Sequence, residues 1–252
     1  MNQSDNMHLS LLIIYIKKSI KSFWKNPGLR TAADLIKYYP RWLSKNHPGN
    51  NALTDQMPWI CFSAIDFLKG ILKADMVIFE FGSGGSTFFW SARVEQVISV
   101  EHDRAWFDKM REEISSLGVQ NIELLLIEPV EDPDPGAKLP EDPNACISTD
   151  PLYLGKTFRP YVVAIDRYPP AHFDLILIDG RARPSCLQHA IPKIKEGGYI
   201  VLDNAERAYY LSAFDFDKTE WEMTEYEGPV PYVRHFSKTT IIHKKANTKK
   251  NV

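Results

Sequence analysis

The sequence predicts an α/β fold on a mostly parallel sheet, and three observations predict it. Short apolar runs recur at 77–81, 97–101, 122–127, 174–179 and 199–202, most of them followed by a turn and a stretch of helical periodicity. The first turn is glycine-rich, Gly82-Ser83-Gly84-Gly85, as a strand-to-helix turn that approaches a ligand requires. Polar groups then gather where the strands end: Glu80, Glu101, Glu128, Asp179 and Asp203-Asn204. Ligands of open parallel sheets bind outside those carboxyl ends, and so many carboxylates together call for a cation among them.

The elements follow in order. Residues 9–25 read as an amphipathic helix with Leu9, Leu12, Ile13, Ile16, Ile20 and Phe23 on one face and Lys17, Lys18, Lys21 and Lys25 mostly off it. That face packs on the domain or on a second subunit, or lies on a membrane surface; both a homodimer and peripheral membrane contact stay open. Asn26-Pro27-Gly28 ends the helix, and residues 31–56 hold a short helical piece and a polar loop. Residues 58–72 repeat Trp59, Ile60, Phe62, Ile65 and Leu68 at helical spacing. The strand 77–81 leads to a helix from about Ser86. The strand 97–101 leads to a helix capped by Asp103 and closed by Gly118, with Trp106, Phe107, Met110, Ile114 and Leu117 as its buried face. Residues 128–160 break the rhythm. Prolines and the acids Glu131, Asp132, Asp134, Glu141 and Asp142 exclude regular structure in the first half, which leaves a lid or substrate-binding insertion or a solvated loop. A helix at 161–168 precedes the strand 174–179. Pro184 opens the next helix, which stops at Gly197-Gly198 before the strand 199–202. Strands at 221–226 and 239–243 close the sheet, and the lysine-rich tail 247–252 is expected to fray.

Composition bounds the function. The chain of 252 residues is 44% hydrophobic, enough for one substantial core. A net charge of −2 gives no global attraction to nucleic acid, so no such partner is expected. Cys61, Cys146 and Cys186 lie far apart with no paired spacing, which suits a reduced, cytoplasmic setting. The apolar stretch 9–16 is too short to span a bilayer.

The glycine turn distinguishes between cofactors. A dinucleotide fingerprint wants a third glycine where Thr87 stands, and Glu80 offers an anionic pyrophosphate nothing. The sulfonium and ammonium of S-adenosylmethionine are both attracted to a carboxylate. The motifs 79–85, 99–103, 173–180 and 195–201, in that order, resemble the seven-stranded Rossmann-like methyltransferases dependent on S-adenosylmethionine. The resemblance covers about residues 75–243. It implies strand order 3-2-1-4-5-7-6 with helices on both faces. It also implies an N-terminal helical extension at 1–74 and a cofactor-binding domain at 75–246. Glu80, Gly82, Ser83, Gly84, Ser86 and Thr87 would then seat the methionine end, with Asp179 beside them. Glu101 would hold the ribose, and His102 would lie by the adenine. A second resemblance, to the metal-dependent O-methyltransferases of catechols and caffeoyl esters, implies that Asp179, Asp203 and Asn204 hold Mg²⁺. Those enzymes carry a lysine base where this chain has Gly180-Arg181-Ala182-Arg183. Arginine is a poor base but a good fork for anions. Asp179 and Arg181 therefore become the candidate catalytic pair. Arg181 and Arg183 either recognise an anionic acceptor or pair with Glu80, Asp203 or Glu206. The implied reaction is methylation of a hydroxyl on a small molecule or glycan. N-methylation, or a non-catalytic scaffold keeping the fold, are the alternatives.

Overall fold

The computed structural model describes residues 3–134 and 136–246. The tail 247–252 lies outside them. Three helices come first: α1 (Gln3–Lys25), α2 (Leu29–Lys45) and α3 (Phe62–Ile71). The alternating part follows as β1 (Val77–Phe81), α4 (Gly85–Ser91), β2 (Gln96–Glu101), α5 (Arg104–Leu117) and β3 (Ile122–Leu126). The insertion contributes β4 (Val130–Glu131), β5 (Lys156–Thr157) and α6 (Arg159–Val162). The second half is β6 (Phe173–Ile178), α7 (Arg183–Ala190), β7 (Ile194–Leu202), β8 (Trp221–Pro229) and β9 (Phe236–Lys244).

The large sheet runs β3-β2-β1-β6-β7-β9-β8, parallel from β3 through β7 and antiparallel at the β9 and β8 edge. Numbered by its own seven strands, this is the expected 3-2-1-4-5-7-6. The labels shift because β4 and β5 form a separate two-stranded pair. The chain order reverses between β1 and β6, so a crevice opens at their carboxyl ends.

Alternation along the strands sends residues to two cores. Phe79, Phe81, Ile98, Val100, Ile176 and Ile178 pack against Phe158, Tyr161, Val162, Cys186 and Leu187 on one face. Ile78, Val97, Leu175, Leu177 and Val201 pack against Trp42, Phe62, Ile65 and Leu68 on the other. The first three helices thus share that face of the sheet with Phe89 and Trp90 of α4. Each large side chain taken out of water here contributes about 1.5–3 kcal/mol.

Several sequence expectations change. The helical piece before residue 56 is a full α2 that carries Pro40 inside it, and α3 starts at Phe62 rather than residue 58. The α1 stripe does not face the core: Leu11 and Tyr15 are buried, while Leu9, Ile13, Ile16, Ile20 and Phe23 are exposed. On α5, Asp103 caps Trp106 N and Gly118 closes the helix at φ 64° as expected, but Met110 is its buried residue and Leu117 is exposed. Gly197-Gly198 does not end a helix; both lie in β7, where the pairing with β6 shifts register. Gly197 takes φ 77°, and a Cβ on Gly198 would come within 3.0 Å of Asp174 O. Within the proline-rich half of the insertion, Val130 and Glu131 pair with Thr157 and Lys156. Distant pairing overrode the local signal.

The glycine turn is packed from above as well as below. A Cβ on Gly85 would strike the backbone carbonyls of Ala52 and Met57, so the α2–α3 loop lies directly on the turn. Gly84 has nothing within 4 Å of that position. Gly85→Ala should therefore cost about 1–3 kcal/mol of stability, while Gly84→Ala stays within about 0.5 kcal/mol of the parent in urea unfolding.

Candidate functional site

A cleft of about 750 Å³ opens at the carboxyl ends of β1, β2 and β6. Gly82, Ser83, Gly84, Gly85 and Ser86 form its floor, Glu101, His102 and Asp103 one wall, and Asp179, Gly180 and Arg181 another. The α2–α3 loop adds Asn51, Ala52, Leu53 and Trp59, and the insertion adds Leu152 and Tyr153. A cleft of this size accommodates a nucleoside-sized cofactor.

Glu101 is the best-determined group in it. One carboxylate oxygen, Oε2, accepts from Ser83 N at 3.1 Å and Ser83 Oγ at 2.8 Å. Oε1 accepts from His102 N at 2.7 Å and Asp103 N at 2.9 Å. Burial pushes its carboxyl up, but hydrogen bonds from His102, Asp103 and Ser83 outweigh that and hold it below the usual range. An ionised acid fixed at a strand end suits a pair of ribose hydroxyls. Ser83 Oγ, a rotatable hydroxyl, is the partner that can yield its place. His102 lies beside it, edge-on to Tyr153 at 5.4 Å between centroids. Trp106 Nε1 donates to Ser83 O at 2.9 Å and braces the turn from α5.

Glu80 behaves differently from the expectation. It is 0% exposed and does not line the cleft. Its carboxyl accepts from Ser86 Oγ, from Thr87 Oγ1 at 2.6 Å, from Ser99 Oγ at 2.9 Å and from Trp90 Nε1 at 3.3 Å. Thr87 Oγ1 in turn accepts from Gly84 N at 3.0 Å. Glu80 and Thr87 therefore hold the turn from beneath and do not meet a ligand themselves. Where a dinucleotide fingerprint would want glycine, the Thr87 hydroxyl completes this network.

The acids at the ends of β6 and β7 do share a cation, and it is Arg183. This side chain is 6% exposed. Its Nε donates to Gly180 O at 3.1 Å, Nη1 to Asp203 O, and Nη2 to Asp179 O at 3.1 Å and Asp179 Oδ1 at 3.0 Å. Burial and the Asp179 charge push Asp203 up to about 8. Burial also holds Asp179 above its usual range, although Arg183 and Arg181 oppose the rise. At neutral pH the proton accordingly sits on Asp203, whose Oδ1 is also bonded to Thr239 Oγ1 at 2.7 Å. Asn204 Nδ2 donates to Ser237 Oγ at 3.1 Å. Asp179 is already paired with guanidinium, and among the described residues no group of three or more His, Cys, Asp or Glu side chains is placed to hold a metal ion, so a Mg²⁺ site finds no support. The metal expectation for Asp179, Asp203 and Asn204 is corrected on that ground.

Arg181 pairs with Asp150 of the insertion at 3.1 Å. It stands between the cleft and a second cavity of about 350 Å³, and Gly180 and Arg181 line both. Sequence reading missed the far wall of this cavity, Arg207, Tyr209 and Tyr210. Arg207 Nη1 donates to Tyr210 OH at 2.6 Å, and Arg207 makes none of the ion pairs found among the described residues. The signal was available: these residues follow the carboxyl end of β7 within a few positions. Trp106 and the Asn51–Leu53 contacts carried no such signal.

No protein-family model matches the chain, and no curated protein matches it by sequence. Solved structures share its fold. One is the O-methyltransferase of Bacillus cereus in complex with S-adenosylhomocysteine, at TM-score 0.52 and 14% identity, over 93% of this chain and 100% of that one. Another is the O-methyltransferase TomG of Streptomyces achromogenes, involved in tomaymycin synthesis and solved with S-adenosylmethionine. It aligns at TM-score 0.51 and 14% identity, over 82% of this chain and 98% of that one. The fold is the Rossmann-like fold of S-adenosylmethionine-dependent methyltransferases.

The Glu80 network has a pH signature. Burial pushes this carboxyl from 4.5 up to about 7. Its contribution to stability is therefore complete below pH 4.5 and is lost as pH rises to about 7. Glu80→Gln, which stays neutral, should lack that loss. Denaturant unfolding across this range should show the parent falling relative to the variant by about 3 kcal/mol.

Proposed function

We propose that the chain transfers the methyl group of S-adenosylmethionine to a hydroxyl of a small acceptor that carries an anionic group. The observation that carries this is the meeting of two cavities at Gly180–Arg181. One is floored by the glycine turn with an ionised Glu101, the other is walled by arginines. Both O-methyltransferases of the same fold were solved with an S-adenosyl ligand, which supports the first cavity as the cofactor site.

S-adenosylmethionine supplies an activated methyl on a sulfonium, so the protein's task is mainly positioning and exclusion of water. Glu101 and His102 hold the nucleoside end. The Gly82–Gly85 turn lets backbone approach the methionine end, and Asp179 offers a carboxylate in the cleft wall to the positive charge. Next to Gly180 and Arg181, which line both cavities, Asp179 accepts the hydrogen of the acceptor hydroxyl as its oxygen attacks the methyl carbon in line. Arg183 pairs with Asp179 and opposes the rise that burial causes in its carboxyl. Arg207 and Arg181 give the acceptor's anionic group its counter-charge, with Ser148, Thr149 and Tyr209 as neutral partners.

Titration calorimetry should register binding of S-adenosylmethionine and none of NAD, with Glu101→Gln weakened by about tenfold or more. Binding of NAD instead, or silence with both, would remove the proposal in favour of another nucleotide enzyme or a scaffold. A screen of carboxylated, phosphorylated and neutral hydroxyl compounds and amines, reading S-adenosylhomocysteine release, should favour the anionic hydroxyl compounds. On the preferred acceptor Arg207→Gln should raise KM about tenfold with little change in kcat. Equal turnover of neutral acceptors by parent and variant would contradict the anionic class.

A further inference from the structure

Helix α1 has two apolar faces, and the fold uses one. Leu11 and Tyr15 are buried, Met7 and Ile14 pack beside them, and Tyr15 OH donates to Leu35 O at 2.7 Å, fastening α1 to α2. On the opposite side Leu9, Ile13, Ile16, Ile20 and Phe23 advance by four, three, four and three residues, and all five are exposed. At 100° per residue they fall within an arc of about 80°. Trp24 (79% exposed) and Leu29 (92%) stand at the end of this helix and the start of the next. Five aligned apolar side chains on one helix exceed the scattered exposed hydrophobics of an ordinary surface.

Charge identifies what covers them. Between Met7 and Lys25 the helix has no Asp or Glu, but it has Lys17, Lys18, Lys21 and Lys25. Lys25 is paired with Glu227, whereas the other three make none of the ion pairs found among the described residues. Lys17 and Lys21 fall on one flank of the apolar arc. This segregation occurs in a chain whose net charge is −2. If two copies met antiparallel along this face, Lys17 and Lys21 would oppose their own counterparts with no acid between them, and like charges repel. An anionic surface pairs with every one. A tryptophan at the end of the arc adds a side chain suited to the boundary between headgroups and acyl chains. No helix among the described residues is long and apolar enough to cross a membrane, so the contact would be in the plane of the interface.

We infer that α1 docks the protein on anionic lipid, with the Leu9–Ile13–Ile16–Ile20–Phe23 stripe in the acyl boundary and Lys17 and Lys21 at the phosphates. The stripe lies on the outer side of α1, and every residue lining the cleft comes from other parts of the chain. Docking therefore leaves the cofactor site free and does not depend on the reaction assigned to it.

Vesicle co-sedimentation of the full chain tests this. The protein should bind vesicles of mixed phosphatidylcholine and phosphatidylserine, and pure phosphatidylcholine vesicles roughly tenfold or more less well. Lys17→Glu with Lys21→Glu, and separately Ile16→Glu with Ile20→Glu, should each weaken binding by about tenfold or more without changing Tm, since all four positions are exposed. As a readout that leaves the stripe intact, Trp24 fluorescence, taken as the difference between the parent and Trp24→Phe, should shift to the blue on mixed vesicles. Equal binding to both vesicle types, or none to either, would overturn the inference. So would sedimentation velocity showing a dimer that Ile16→Glu with Ile20→Glu splits, because the face would then join two copies of this chain.

Discussion

The guanidinium of Arg183 is the contact on which the site depends. Two parallel strands, β6 and β7, both end in an acid, and their carboxyl ends lie side by side. Asp203 is buried, Asp179 is partly so, and two carboxylates this close resist ionising together. Arg183 resolves the conflict unevenly. It pairs with the side chain of Asp179 and with the backbone carbonyls of Asp179, Gly180 and Asp203, and leaves the Asp203 side chain to keep a proton against Thr239. One acid keeps the guanidinium as its partner and the other is held against Thr239. Breaking such a buried pair from either side leaves an uncompensated charge, which is far costlier than the pair is stabilising.

The glycine turn rests on an equivalent device one strand over. Glu80 is a carboxyl with no exposure, and four side-chain donors surround it. The turn above must keep a narrow shape, because Gly82 faces Gly180 across the crevice and Gly85 faces the loop from α2 to α3. A Cβ on Gly82 would come within 3.1 Å of Gly180, whose own Cβ would strike Tyr161 OH. The cleft is thus defined by backbone closeness on three sides, with the polar network of Glu80 beneath it. The N-terminal helices belong to this arrangement: they help cover a face of the sheet and supply the loop that closes over Gly85.

Much of this was legible in the sequence, and the reasons for the failures are physical. The five parallel strands were readable because fully buried strands are continuous apolar runs, and their carboxyl-end polar residues marked the crevice. Glu101, Ser83, Gly84, His102 and Asp179 all line it. Glu80 and Thr87 were misassigned because a strand-end position does not tell which face of the sheet its side chain joins. Period two puts Glu80 on the face of Ile78, under α4. The metal reading failed for a related reason. Ligand types at matching positions specify nothing about a neighbouring side chain, and Arg183, four residues from Asp179, brings the charge that the acids required. Arg207 and Tyr210 were missed although they follow the carboxyl end of β7, because that position alone does not show that they stand opposite Arg181.

The helix α1 shows the limit of periodicity in a sharper way. Its strongest apolar repeat is the one the core does not use, and its buried face is carried by Leu11 and Tyr15. A hydrophobic stripe states that a surface must leave water, without stating what takes its place. The core could accept only one side of the helix, since Tyr15 is held among Tyr39, Trp42 and Phe236 and bonded to Leu35 O. The remaining stripe keeps its full hydrophobic cost wherever it faces solvent. Lysine is the one charged residue type from Met7 to Lys25, a charge pattern complementary to a negative surface. Helix and sheet therefore present two separate surfaces in one chain: the cleft at the strand ends, and the outer apolar face of α1, which contributes no residue to that cleft.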